Sequence, residues 1–439
     1  MHSSLGSEAS AGVAAVPARG GVAIVGVVAL LLAIAVLNNM DRVLLAVLAE
    51  PIKAEFGLSD TQFGSLSGAI FAIFYTGGAV PIAWLADRFG RARVLGACAV
   101  LWSVATALSG AAGSFLQMSL ARMSVGLGEA GCTPTIHALV TENVPATWRG
   151  RALGVIGAGS AIGTMGGLWL GGFLADVVGW RWTFAVVGAP GVIAGVAVAL
   201  VLRRPAGRRD AGKAGAAAIP FRTIIRTFGA SPTFLLKVLA AVTATAAIVG
   251  LQSFMAAYAM RTFSLPIRTV GFWLGIAAVG GILGMLVGGA CASRTHANGA
   301  IAMRLPALLC IAGGLIAATG FLIGAWPLTI VMFGIGNAMF CTWYAPVYAS
   351  VQAEAPPQAR AQLSAIVLVA SSLLGVGGGP TLVGFLSDRL SAGFGVRSLG
   401  VSLAIICGGA VVAGGAIFLA DLMARGGFRV APQTFNKTK

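Results

Sequence analysis

Hydrophobic residues in this chain neither alternate nor recur on one helical face; they come in long uninterrupted runs. The runs fall at roughly 20–48, 60–87, 92–111, 114–141, 149–176 and 180–202, then at 233–259, 268–293, 299–323, 326–352, 359–387 and 395–422. Each is long enough to cross about 30 Å of hydrocarbon as a helix rising about 1.5 Å per residue. The pattern predicts an all-α membrane protein of twelve transmembrane helices. Polar residues are concentrated in the connections and tails, with a few inside the runs. The longest connection, 203–232, is basic, rich in Ala and Gly, and lies midway. It reads as a cytoplasmic linker between two six-helix bundles, 20–202 and 233–422, with a disordered cytoplasmic tail at 1–19 and a second tail at 423–439. Near the end of the linker, Phe221–Phe228 reads as a short interfacial helix.

The two halves repeat each other. Gly166–Asp176 reads GGLWLGGFLAD and Gly378–Asp388 reads GGPTLVGFLSD, the first closing span 5 and the second closing span 11. GLGEA at Gly126–Ala130 in span 4 likewise matches GIGNA at Gly334–Ala338 in span 10. Parallel repeats of six helices resemble the plan of the major facilitator superfamily. That resemblance implies a solute site between two pseudo-symmetric bundles near the bilayer midplane.

Composition agrees with the pattern. The chain is 58% hydrophobic and 10% charged, against about 25% charged in soluble domains. Its 63 glycines suit helices that must pack backbone to backbone without a hydrophobic driving force. The net charge of +16 is arranged by side, not by patch. Arg88, Arg91, Arg93, Arg149, Arg151, the linker and the C-terminal tail carry most of the 29 basic residues. The opposite connections keep only Lys53, Arg181, Arg261, Arg268, Arg389 and Arg397. This is the positive-inside bias, which places both termini in the cytoplasm of a multi-pass inner-membrane protein and argues against nucleic acid as a partner. The six cysteines lie inside apolar segments at no metal-ligand spacing and read as packing residues. The first apolar run continues into Asn38–Arg42 without a cleavage site, so it reads as a retained span.

Between spans 2 and 3, AWLADRFGRARVL (83–95) resembles the signature loop of that superfamily, with Ala83 where the usual pattern has Gly and with Asp87, Arg88, Gly90, Arg91 and Arg93 in register. The resemblance implies a cytoplasmic gate in which Asp87 approaches the start of span 11, where the helix dipole favours an anion, while Arg91, Glu142 and Arg149 complete a charge network. In the second half, the corresponding loop Gly289–Ala300 keeps only Arg294. A narrower resemblance is to the Spinster family. It rests on Asn38-Asn39-Met40-Asp41-Arg42, Gly57-Leu58-Ser59-Asp60-Thr61-Gln62, Leu120-Ala121-Arg122 and Gly126-Leu127-Gly128-Glu129-Ala130, and it fades in the second half. It implies transport of an amphipathic, lipid-like solute.

Asp41, Arg42, Arg122 and Glu129 stand out on physical grounds alone. A charge deep in a span costs at least about 2.5–3.5 kcal/mol, so it faces the interior, pairs, and marks an ion or substrate path. Arg122, Gly126, Glu129 and Thr133 follow one helical stripe, and Arg122 and Glu129 are about two turns apart, so each is free to pair with span 1. Asp41 and Glu129 are the candidate proton acceptors, with Arg42 and Arg122 completing the cavity network. Asn38, Tyr75, Thr133, Trp169, Gln252, Asn337, Trp343 and Tyr344 are the candidate substrate contacts. Lys237 is expected to snorkel to the interface.

No Walker loop, zinc spacing or nucleophile elbow is present, so no catalytic residue, cofactor or metal is expected, and the chain is not expected to be an enzyme. The expected function is secondary active transport of a small, amphipathic solute by alternating access, coupled to protons, in a monomer within the lipid bilayer. An uncoupled facilitator and a multidrug or organic-anion exporter are the alternatives of the same fold.

Overall fold

The computed structural model describes residues 21–202, 221–294, 301 and 303–426. Both expected tails, save 423–426, and most of the expected linker lie outside them. Twelve spans cross the membrane in two bundles of six. Span 1 is Gly21–Val47, followed by a short helix Ala49–Phe56. Span 2 combines Asp60–Ser67 with Ala69–Phe89, and span 3 is Arg91–Ser109. Span 4 combines Phe115–Glu129 with Cys132–Asn143. Helical residues run on without interruption through Ala146–Val201, but Gly179 (φ 80°, ψ 162°) reverses the chain there and separates span 5 from span 6. Only glycine adopts that backbone cheaply.

In the second half, spans 7, 8 and 9 are Pro232–Phe263, Ile267–Ala292 and Arg304–Ile323. Span 10 joins Trp326–Phe340 to Tyr344–Glu354 through a 3₁₀ turn, Cys341–Trp343. Span 11 joins Arg360–Ala370 to Gly377–Phe394 through a π-helical segment, Ser371–Val376, and span 12 is Ser398–Arg425. Both irregular segments have the same origin. Pro346 and Pro380 lack the N–H that would bond Thr342 and Val376, so each helix rewinds one turn earlier. Phe221–Gly229 is a separate short helix that buries Ile224 and Phe228, the latter edge-on to Phe234 at 5.9 Å.

Glycine brings the spans into contact. Gly159, Gly163, Gly167 and Gly171 recur every fourth residue of span 5 and face span 1, where a methyl on Gly163 would lie 2.3 Å from the carbonyl oxygen of Val36. The halves themselves touch along two seams. Gly172 of span 5 lies against Gly271 of span 8, and Gly64 and Gly384 close spans 2 and 11 onto each other. Both repeated segments, ending at Asp176 and Asp388, finish on the membrane face that carries Asp60, as parallel repeats require. The described side-chain bonds between the halves gather at that face. At the opposite, open face Asp87 is 72% exposed, and no side-chain bond joins the halves there among the described residues.

One expectation fails. Lys237 does not snorkel: its side chain is fully buried, and its Nζ lies 2.6 Å from Glu354 of span 10, whose carboxylate is 14% exposed. A carboxylate inside the bundle neutralises the ammonium where it stands, so no excursion to the interface is needed. Removing one partner strands the other in low dielectric, at about 3–5 kcal/mol. Lys237→Met should therefore lower stability by about that amount in chemical unfolding of the purified protein. The double variant Lys237→Met/Glu354→Leu should recover most of the loss. Equal loss in the single and double variants would rule the pairing out.

Candidate functional site

Spans 1 to 4 converge on one buried charge cluster. Gly126 makes it possible: a methyl there would lie 2.6 Å from the carbonyl oxygen of Phe71, so span 4 reaches span 2 only because that position is bare. Arg42 Nε donates to Glu129 Oε2 at 2.6 Å, and Glu129 is completely buried. Arg122 Nη1 lies 3.7 Å from Asp41 Oδ2, while the Thr106 hydroxyl of span 3 donates to Asp41 Oδ1 at 2.6 Å. The set is thus two crossed pairs, each joining span 1 to span 4. Phe71 binds the two together, because the guanidinium carbons of Arg42 and Arg122 lie 5.5 and 5.3 Å from its ring centre.

The two pairs differ in access. Asp41 and Arg122 are both buried, whereas the Arg42 side chain is 36% exposed and stacks 4.9 Å from the ring centre of Tyr75. Glu129 closes the first part of span 4, where the backbone ladder is interrupted before Cys132. Glu129 Oε1, Asp41 Oδ2, two Arg122 nitrogens and Asn38 Nδ2 are buried without a hydrogen-bond partner among the described residues.

Between the halves lies a small cavity of about 30 Å³, lined by Val43, Thr164, Leu168, Gln252, Met255, Leu274, Ala278, Phe333 and Asn337. Its walls come from spans 1, 5, 7, 8 and 10, and its polar groups are one hydroxyl and two amides. Gln252 and Asn337 supply its two amides. Trp343 is buried, stacked edge-on to Tyr344 at 5.4 Å, and Tyr344 is 48% exposed. Trp169 is 54% exposed beside the span 5–span 8 seam. Thr133 is exposed beyond the interruption of span 4 and does not join the cavity lining.

At the open face, Arg91 bridges Glu142 (2.5 Å) and Asp87 (3.4 Å). Gly90 turns the chain with φ 97°, which fixes that glycine in the loop. Arg149 does not reach either acid: it donates to the carbonyls of Val144 and Thr141 and caps the end of span 4. Arg88 stacks on Trp84 and Phe89 instead of entering the network.

Comparison with known proteins gives the family. The family model described as the Major Facilitator Superfamily matches residues 30–380. The chain belongs to that superfamily. It is 34% identical over 396 residues to a protein named MFS-type efflux pump from Mycolicibacterium smegmatis, covering 88% of each chain. It is 27% identical over 427 residues to human protein spinster homolog 1, covering 90% of this chain and 79% of the relative. Among solved structures, a bacterial homolog of the human lysosomal transporter Spinster, in an inward-facing and unoccupied conformation, aligns with a TM-score of 0.82 at 26% identity, over 94% of this chain and 100% of the other. The chain is thus a Spinster-like membrane transporter and not an enzyme.

Two contributors to this transporter site were not found by sequence reasoning. Thr106 is one hydroxyl in an apolar span, and Phe71 is one of 22 phenylalanines; neither carries a signal until the spans are packed. The crossed pairing makes a measurable distinction. Arg42→Gln should destabilise the purified protein by about 3–5 kcal/mol by stranding Glu129, and Arg42→Gln/Glu129→Gln should restore most of it. Thr106→Val should cost about 1–3 kcal/mol, because Asp41 loses its donor. Additive losses for Arg42 and Glu129 in chemical unfolding would contradict the pairing.

Proposed function

We propose that this transporter is proton-coupled, moves a small, partly apolar solute by alternating access, and exchanges a proton for substrate at Glu129. The observation that carries the reading is the Arg42–Glu129 pair: a fully buried carboxylate held by a guanidinium side chain that is itself 36% exposed. While Glu129 is ionised it neutralises Arg42. Once Glu129 takes a proton, Arg42 carries an uncompensated charge next to Tyr75 and can accept an anionic group of the solute. Asp41, held by Thr106 and Arg122, is the second acid of the relay. The mixed lining of aliphatic side chains, two amides and one hydroxyl suits an amphipathic molecule over a sugar, which would need more hydrogen-bonding groups. The relative named an efflux pump favours export as the working direction.

In this reading the basic Asp87 face is cytoplasmic, following the distribution of Lys and Arg, and both termini lie there. The structure is then the inward-open state. On closure, Asp87 docks against the start of span 11 near Arg360, carrying Arg91 and Glu142 with it.

The test is flux in liposomes holding the purified protein, with the solute first chosen by thermal stabilisation against a panel of amphipathic anions and neutral amphiphiles. Glu129→Gln keeps the shape of the protonated acid and removes its charge. It should abolish accumulation driven by a pH gradient while leaving solute exchange measurable. Asp41→Asn should weaken transport but retain pH dependence. If both variants keep full pH-dependent accumulation, the carboxylates are structural and the coupling is elsewhere.

A further inference from the structure

At the closed face, the two halves are joined by side chains that the coupling reading leaves unused. Asp60–Ser67, the first helix of span 2, has an internal cap: Ser59 accepts from the backbone of Gln62, and Gln62 answers through its side chain. That cap leaves the first two amides of the helix unfilled. Asp388, from the end of span 11 in the other half, fills them. Its Oδ1 accepts from Asp60 N at 3.0 Å and its Oδ2 from Thr61 N at 2.8 Å, with the Thr61 hydroxyl donating to Oδ2 at 2.6 Å. The backbones meet beneath this contact, since a methyl on Gly384 would lie 2.1 Å from the carbonyl oxygen of Asp60.

A second tie runs beside the first. Arg261, at the end of span 7, forks onto the Asp60 carboxylate (Nη1 to Oδ2, 2.8 Å; Nη2 to Oδ1, 2.6 Å) and also holds Glu50 through Nε and Nη2. Ser387 donates to Asp60 Oδ2 at 2.7 Å, and Lys53 pairs with Asp60 from its own half. Separation of the halves at this face would leave Asp60 with Lys53, but would take Asp388 off its helix and Arg261 off both acids.

We infer that Asp388, seated on the N-terminus of span 2 and backed by the Arg261–Asp60–Glu50 tie, is a latch that holds this face shut and must release in each transport cycle. A carboxylate at a helix N-terminus gains from both the free amides and the dipole. Here the carboxylate and the helix belong to bodies that move apart, so the stabilisation belongs to one conformation alone. The latch is also one-sided. Asp176 stands at the repeat-equivalent position in the first half, but it is exposed and makes no hydrogen bond among the described residues. Its seam, between spans 5 and 8, closes through Gly172 and Gly271. Asp388 is therefore a positioning residue for transport, distant from solute and proton sites.

This inference rests on the alternating-access reading, and its test separates the two. The full chain in nanodiscs carries one spin-label pair across the halves at the Asp388 face and another at the Asp87 face, and distance distributions report the population of each state. Asp388→Asn should raise the population open at the Asp388 face about tenfold, the scale of losing a helix cap. Thr61→Val should shift it less in the same direction, and Asp176→Asn should not move it. Wild-type populations in both Asp388→Asn and Thr61→Val overturn the latch; if Asp388→Asn does not fold, Thr61→Val decides by the same criterion. A single state at both faces in the wild type and every variant overturns alternating access itself, and the latch with it.

Discussion

Two acids and two bases placed in an apolar interior impose the constraint on which the first half is built. None of the four can be left alone in hydrocarbon, so spans 1 and 4 must face each other in one register and at one distance. Glycine supplies the distance, through Gly126 against span 2 and the Gly159–Gly171 stripe against span 1. The register follows from the crossed pairs: a shift of span 4 by one turn would take Glu129 from Arg42 and Arg122 from Asp41 together. Packing and charge thus specify the same arrangement, which is the kind of agreement between levels that gives a sequence one structure.

The second half pairs its own charges separately. Lys237 and Glu354 neutralise each other at the open face, and Asp421 is held by Arg304 and Arg425 beside the amide of Met303. Among the described residues, no charged group of either half lines the cavity. A bundle with a neutral inner wall accommodates changes of solute by swapping apolar side chains, without rebuilding an ion-pair network.

Much of this was legible in the chain itself. Span positions follow from apolar runs because a bilayer leaves the backbone no alternative to the helix. The buried charges stand out because charge in a span is rare. The turn glycine Gly90 was visible through its loop pattern. Pairings across long separations were not legible: Asp388 and Thr61 are 327 residues apart, and Arg261 and Glu50 are 211 apart. Each of those residues reads as an ordinary polar residue of a loop or helix end until the halves are docked. Lys237 misled for a related reason, since a lysine near a helix end has an interface available, and only the arrival of Glu354 makes burial the better choice. The two ladder defects were not legible: Pro346 and Pro380 accompany a 3₁₀ turn and a π segment, whereas Pro81 and Pro190 sit inside helices that run on.

The crossing of Gly172 over Gly271 has a mechanical consequence. Helices that interlock through large side chains behave like meshed teeth, and sliding one past the other means climbing over each row. Here the two bodies touch backbone to backbone, where the surface is nearly smooth. Dispersion contact along such a crossing changes little as the bodies tilt, so the joint acts as a bearing. Friction at the bearing is low, and the energy that distinguishes one tilt from another is left to the few directional polar contacts at the rims. A machine built this way moves readily and is regulated at its edges.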